Sequence, residues 1–551
     1  MRLNMNLVTD CWIPVVTTEG NREDANLTQI FTQGEKYADL AVRPHERVAL
    51  MRFLICIAQA ALNGPVDKND WQCTPKKLPE AARKYLEKWN KEEVFELFHP
   101  EKPFLQIAEL ELIQKDKKAL KRKSKEYEDD ESSGLTPLSK MDFAMASGNT
   151  TTLFDHYGGI ESGRIIDEHT VPISLLTFLN FSPGGLMSAS KWGTFIDEGK
   201  SKKGVPTKGK TQGKDAPCSI RSMLHTFIRG RTLNNTICLN ILTKDTVRRH
   251  YGKDIWGRPI WEQMPKNPED FVAVDNATKT YLGRLVPLSR WIKIVSVKDG
   301  MIWSGGRFVF PNIEDDFPRE PSSSIKLNYN KTERILVTAE TGKAIWRELY
   351  GLLLKKDGEK IGGPLSLQNP LPYGCIDIHV CAMIRSKAEI RNIVESVYNV
   401  SPKMLSEKGR SIYEIEVDEA EWMSRKLGYA IEAYRRNVDN FWDQRVEMAK
   451  KDKNKLKAML HNKIIQSYWT AIEKQRHLLI TYVDVFDDDS KCAAAQKAWH
   501  KAIHQAARDS FISSCGQETP RQIRAFALGW KKLFMEKKAT NEEQNNEGGE
   551  E

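Results

Sequence analysis

Hydrophobic positions near the carboxyl end repeat with a helical rhythm. Leu427, Ile431, Tyr434, Val438, Phe441 and Arg445 step by fours and threes, and Leu456, Leu460, Ile464, Tyr468, Ala471 and Leu478 continue in a second segment. Residues 493–511 and 523–534 supply two more, with turn signals at Asp487-Asp488-Asp489 and across 516–520. Four such segments joined by short loops predict an antiparallel four-helix bundle from about residue 401 to 538. Upstream, residues 47–62 are apolar nearly all round and predict a buried helix, with a second at 81–89. Leu7-Val8 and the run 12–16 read as short strands, the latter interrupted by Pro14. Between 280 and 400, β-type runs at 291–295, 307–310, 335–337 and 376–380 alternate with turns and one helix near 344–354. Residues 218–242 read as a strand pair or a strand plus a helix. The pattern predicts an α+β protein: a mixed α/β domain over 1–400 followed by the all-α bundle.

Two stretches break the pattern. Residues 115–131 are almost all charged, cationic first and acidic later, and predict an exposed loop or frayed helix. Residues 134–216 are rich in Gly, Ser, Thr and Pro around two short apolar segments, 173–178 and 192–196. A long irregular stretch inside a compact domain points to function. The cation-free acidic tail, 539–551, reads as a disordered end.

Composition narrows the class. The 551 residues are 40% hydrophobic and 28% charged, which fits a globular chain. No apolar run is long enough to span a bilayer, and the amino terminus lacks the apolar core of a secretion signal, so a cytoplasmic protein without membrane contact is expected. Nine scattered cysteines without a C-x-x-C give neither a disulfide framework nor a Cys-rich zinc site, and no metal or other cofactor is expected. Cys375 and Cys381 flank a β-type run and read as buried thiols. A net charge of +9 permits a polyanionic partner without requiring one.

Candidate chemistry mostly fails on context. Gly204-Val205-Pro206-Thr207-Lys208-Gly209-Lys210-Thr211 satisfies the phosphate-loop pattern G-x-x-x-x-G-K-[ST]. A working loop needs a buried strand before it and a helix after it, and neither flank reads that way. Lys200, Lys202, Lys203, Lys208, Lys210 and Lys214 instead form a Gly-rich polycation suited to sequence-independent phosphate contact, or an ordinary solvated loop. His500 and His504 share a helix face without a third ligand. Asp487-Asp488-Asp489 reads as a helix cap. No active site is evident.

Several blocks, in order, resemble one family: Asn6-Leu7-Val8-Thr9-Asp10-Cys11-Trp12-Ile13-Pro14-Val15, the run 53–59, Phe98-His99-Pro100-Glu101-Lys102-Pro103-Phe104-Leu105-Gln106, and the run 226–243, followed by the bundle. Together they are similar to the CasA family, large subunits of the type I-E CRISPR surveillance complex Cascade. The resemblance implies a non-catalytic protein that helps hold the crRNA 5′ handle and inspects double-stranded target DNA for the protospacer-adjacent motif (PAM). It further implies that the protein helps open the duplex, contacts the other Cascade subunits and recruits a helicase–nuclease effector. Guide pairing would carry the long-sequence specificity.

Residue by residue, the resemblance places Phe154 on the aromatic of the family's crRNA-docking loop and His156 where members carry Asn. Ser182-Pro183-Gly184-Gly185-Leu186 resembles the PAM reader's glycine loop, the contacting residue being Gly184, Gly185 or a neighbour. Arg307 falls at the family's lysine finger, where a cation is drawn to a narrow minor groove. Arg385-Ser386-Lys387-Ala388 resembles the wedge, with Lys387 where the family has Gln, between the run 376–384 and a helix expected from Glu389. The lysines of 199–214 are expected to grip duplex DNA beside the PAM. Two rival readings remain: a nucleotide-dependent enzyme resting on 204–211, and a helical scaffold without nucleic-acid contact.

Overall fold

The computed structural model describes residues 5–113, 135–143, 166–199, 209–252, 255–328, 330, 332–355 and 361–534. The charged segment 115–131 and the acidic tail lie outside them. The chain divides into two compact units, Met1–Pro402 and Lys403–Glu551.

The first unit opens with β1 (Ile13–Thr17), β2 (Arg22–Ala25) and β3 (Tyr37–Leu40), an antiparallel sheet with β1 central. Residues 7–8 form a turn, not a strand. Leu7 donates its amide to the Phe95 carbonyl at 3.0 Å and takes the Trp12 indole N–H on its own carbonyl at 2.9 Å, so its backbone is satisfied without a ladder. Helix α1 (Pro44–Ala61) starts where Pro sits in the first turn and Glu46 accepts the Arg43 amide at 2.8 Å. It is buried along almost its whole length, as an all-round apolar pattern requires. Helix α2 (Thr74–Lys91) packs on it.

Past β4 (Leu110–Leu112), the stretch expected to be irregular holds a fully buried helix, α3 (Val171–Phe181), with Pro172 in its first turn. Short strands follow: β5 (Gly185–Ser188), β6 (Ser190–Trp192), β7 (Phe195–Ile196) and β8 (Lys210–Gly213). β5 and β8 make a two-stranded ribbon, and β4, β6 and β7 a small sheet. The strand β9 (His225–Arg229) and helix α4 (Leu233–Asn240) match the strand-plus-helix reading of 218–242.

β10 (Trp291–Ser296) and β11 (Gly300–Ser304) form a hairpin, as do the short β12 (Ile325–Leu327) and β13 (Arg334–Leu336). The run 307–310 is not a strand. Its in–out alternation arises because Phe308 and Phe310 are pinned in the core, Phe308 against Trp192 and Trp291, while Arg307 and Val309 face out. β14 (Ile376–Ser386) pairs with β9 on one side and with β15 (Glu389–Val400) on the other. The segment from Glu389 is thus a strand and not a helix. Its Ile, Val and Tyr residues pair cross-strand with the buried run of β14, which overrides any local helical pattern. Cys381 is buried in β14, but Cys375, just ahead of the strand, is exposed.

The second unit is a helical bundle: α5 (Glu407–Val438), α6 (Lys450–Lys474), α7 (Arg476–Asp484), α8 (Asp489–Ser514) and α9 (Pro520–Leu533). The first helix stops at Val438 because Asn440 and Phe441 turn left-handed (φ 51° and 56°), so Phe441 and Arg445 leave the expected stripe. The second predicted helix is broken at Gln475. Asp488 caps α8 by accepting the Ser490 amide, and His500 bonds buried Glu416 at 2.8 Å. Among the described residues, no helix is long and apolar enough to cross a membrane, and no three His, Cys, Asp or Glu side chains gather as a metal ion would need.

Candidate nucleic-acid interface

A glycine loop, a hairpin tip and an arginine segment converge on one edge of the first unit. Each is fixed from beneath by polar groups, buried under the loop and the arginine segment and half-buried under the tip.

The loop 182–185 connects α3 to the ribbon. Arg290, only 1% exposed, sits under it and donates Nη2 to the carbonyls of Ser182 (3.0 Å), Pro183 (3.0 Å) and Lys214 (2.9 Å). Burial pulls this guanidinium down to about 10, partly offset by Asp215. One cation thus ties the two strands of the ribbon together at the end where Gly185 pairs with Gly213. Gly184 donates its amide to Asp215 Oδ1 at 2.6 Å. Glycine is required here by contact, because a Cβ would lie 2.8 Å from the Gly213 carbonyl oxygen. Gly185 has φ +144°, a conformation L side chains avoid, and the nearest atom a Cβ there would meet is Ala388 Cβ at 4.0 Å. The loop and the tip of the β14–β15 hairpin are therefore neighbours.

That tip is a two-residue turn, Lys387-Ala388, between the paired Ser386 and Glu389. Lys387 is exposed and left-handed (φ 55°), the position where hairpin turns usually carry Gly or Asn. Arg385 points inward. Its Nη1 donates to the Lys387 carbonyl at 2.7 Å, Nη2 to Asp215 Oδ2, and Nε to the Ser219 carbonyl. Its own amide donates to Ser222 Oγ at 3.0 Å.

Arg307 follows the pair Gly305-Gly306, and Gly305 packs so closely on Gly213 that a Cβ on it would lie 2.8 Å from the Gly213 Cα. The guanidinium lies 4.6 Å over the Phe195 ring, donates to the Glu198 carbonyl at 3.0 Å and approaches the fully buried Asp197 at 3.6 Å. Asp197 also accepts the hydroxyls of Thr211 (3.0 Å) and Ser304 (2.9 Å), fastening the ribbon to β11. Thr211, the last residue of the phosphate-loop pattern, is thus a buried structural hydroxyl in a strand. The pattern runs on as strand β8 to Gly213, with no α-helix starting at its end, which removes the geometry a nucleotide would need. Lys210 and Lys214 are exposed at the two ends of β8.

The sequence reading names fifteen residues for nucleic-acid contact, Phe154 and His156 among them for the crRNA. The structure gathers Gly184, Gly185, Lys214, Arg385, Ser386, Lys387 and Ala388 around the loop and tip, with Lys210 at the other end of β8 and Arg307 after β11, against Phe195 and Glu198. Phe154, His156, Lys200, Lys202, Lys203 and Lys208 lie outside the described residues. Sequence reasoning missed Asp215 and Arg290. Asp215 carried a weak signal, as the one acid between the lysine-rich stretch and Pro217, but nothing in a linear pattern reveals a buried arginine bonded only to carbonyls.

Comparison with known proteins agrees with this architecture. The family model described as CRISPR-associated protein Cse1 matches residues 6–510. A CRISPR-associated protein CasA/Cse1 of Thermus thermophilus is 25% identical over 444 residues, covering 77% of this chain and 76% of its own. The solved structure of Thermus thermophilus CasA (Cse1) superposes with a TM-score of 0.67 at 20% identity, over 96% of this chain and 98% of that one. A chain of a CRISPR RNA-guided surveillance complex gives 0.67 at 17% identity, over 97% and 100%. At those identities the superpositions establish the fold, and the sequence match over nearly the whole length establishes the kinship: this chain belongs to the CRISPR-associated Cse1 (CasA) family.

Proposed function

We propose that the chain is the large subunit of a type I-E CRISPR surveillance complex, that it reads the PAM of double-stranded DNA with the 184–185 loop and the 385–388 tip, and that it starts duplex opening there. The observation that carries this reading is the adjacency of those two features, a side-chain-free loop beside an exposed cationic hairpin tip, at one edge of the first unit. A loop without side chains lets backbone groups approach a minor groove closely. A hairpin tip can enter a base step, at an unstacking cost of a few kcal/mol recovered by new contacts. Arg307 stands where a cation is drawn to a narrow minor groove. Lys210 and Lys214 continue the cationic track, and the lysines at 200, 202, 203 and 208 extend it in sequence; the lysines supply phosphate contact and counterion release rather than sequence information.

In this reading Phe154 and His156 dock on the crRNA 5′ handle, and the other subunits supply the guide-bound backbone. The helicase–nuclease effector is recruited once the guide has paired. The subunit performs no reaction of its own and works in the cytoplasm, where guide and target meet. The test is a mobility shift of the assembled complex on targets that differ only in the trinucleotide flanking the protospacer. Affinity should vary at least tenfold with the trinucleotide in the native complex and much less with Gly185→Val and Lys387→Glu. Equal affinity for every flank would overturn the proposal.

A further inference from the structure

The loop and the tip have separate supports in sequence, yet one ion pair joins them. Asp215 uses one carboxylate oxygen for the Gly184 amide, at 2.6 Å, and the other for Arg385 Nη2. The Arg385 fork then spreads three ways, to Asp215, to the carbonyl of Lys387 at the tip (2.7 Å) and to the carbonyl of Ser219. Its side chain is 10% exposed and that of Asp215 36%. Beneath the fork, Arg221 and Ser222 are both left-handed (φ 50° and 58°), as is Lys387 above it. Each such non-glycine residue costs about 1 kcal/mol or more, and strain of this kind persists only where surrounding contacts over-determine it. An open groove of about 500 Å³ runs alongside, lined by Lys214, Asp215, Arg221, Arg385 and Lys387 as well as by Ile220, Val309 and Phe310, so on that side the tip borders open space. Beyond the β14–β15 ladder, the hydrogen bonds of Arg385 and Asp215 link the tip to the loop.

We infer that Asp215 and Arg385 form a clamp that locks the glycine loop and the hairpin tip into one preorganised edge, and that Arg385 is a positioning residue rather than a phosphate contact. This rests on the reading of loop and tip as the duplex-sensing surfaces. A tip that enters a base stack must resist being pushed back, and rigidity in the bound conformation saves its ordering cost at the moment of binding. The chemistry is specific to the pair. Only a planar fork reaches three acceptors in different directions, so lysine is no substitute. Only a carboxylate accepts from two donors on separate oxygens, so asparagine leaves one of them facing an N–H₂ group.

The experiment assembles the complex with full-length D215N, R385K, R385Q, D215A, R385A and the D215A/R385A pair. Affinity is measured on an intact duplex target and on the same target with the flank-proximal protospacer bases already mismatched open. The clamp predicts a loss of about tenfold or more on the intact duplex for each single variant, and less than twofold on the opened target. It also predicts that the D215A/R385A pair is no worse than either alanine single, because one linkage is removed once. Equal losses on both targets would mean a general folding defect and overturn the clamp. K387A, run in parallel, separates the two levels. If it weakens duplex binding and the clamp variants do not, the clamp alone is wrong. If neither it nor they have an effect, the underlying reading of the tip falls as well.

Discussion

Gly184 gives the sharpest local prediction, because its constraint is a distance and not a preference. An alanine methyl there would lie 2.8 Å from the Gly213 carbonyl oxygen, and 3.0 Å from both the Asp215 amide nitrogen and its Oδ1. Non-bonded carbon and oxygen settle several tenths of an ångström farther apart, and two of the three obstacles are backbone atoms of a ribbon held by Arg290 and Asp197. The ribbon must shift or the loop must lift off Asp215. Overpacking of this kind costs about 1–3 kcal/mol, and each 1.4 kcal/mol is tenfold in an equilibrium constant. Gly184→Ala should therefore weaken target-duplex binding of the assembled complex by about tenfold or more in a mobility shift. Global stability of the chain in urea should drop by no more than about 3 kcal/mol. Gly185→Ala should fail for a different reason: its methyl meets nothing nearer than 4.0 Å, but its φ of +144° is one alanine avoids. If Gly184→Ala binds within twofold of the native complex and unfolds at the same urea concentration, the close approach of loop and ribbon is wrong.

Three further outcomes follow from other parts of the structure. Glu320 lies 3.0 Å from Arg52 and 2.5 Å from Arg284 with all three side chains at most 4% exposed; burial alone would raise its carboxyl, but the two guanidiniums hold it at about 2. Glu320→Gln strands two buried cations and should cost about 3–5 kcal/mol in urea unfolding; a loss under 1 kcal/mol would contradict the buried network. Burial holds His225 down at about 4, against a smaller opposing effect of its bond to the Cys218 carbonyl. The unfolded chain then takes up its proton first, so stability is complete above about pH 6.5 and falls as the pH drops toward 4, by about 3 kcal/mol for this group. Urea midpoints from pH 7 to 4 should fall less steeply for His225→Asn, and an unchanged slope would refute the assignment. Lys387→Gly relieves a left-handed lysine and should leave the chain as stable or about 1 kcal/mol more so. The same change should lower the slope of log affinity against log salt by about 0.9 if the ammonium meets a phosphate; an unchanged slope would show that it does not.

The parts of this fold legible in the sequence are those set by periodicity. The buried α1 and the bundle stripes around Ile431, Ile464 and Phe511 announce themselves because one helix face or the whole circumference is apolar. What failed was read from local pattern where tertiary contact decides. Residues 307–310 alternate like a strand because two rings are pinned in the core, and the segment from Glu389 pairs with β14 although its charged start suits a helix. In the interface, the glycine pair and the cationic tip were visible as residue types through their resemblance to the family. The supports were not. Asp215 and Arg290 act through backbone groups 31 to 108 positions away, a relation that no spacing rule encodes. Arg385 shows the same limit from the other side: its charge suggested a phosphate, while its fork is spent on Asp215 and two carbonyls.

The edge formed by loop and tip is proposed to open DNA and not merely to bind it. The most direct measurement places 2-aminopurine in the first protospacer positions beside the flanking trinucleotide and follows fluorescence as the assembled complex engages the duplex. Prompt unstacking is expected with the native chain, and binding with little or no unstacking when Lys387-Ala388 is replaced by Gly-Gly together with Gly185→Val. Unstacking at the native rate and amplitude with that blunted edge would contradict it.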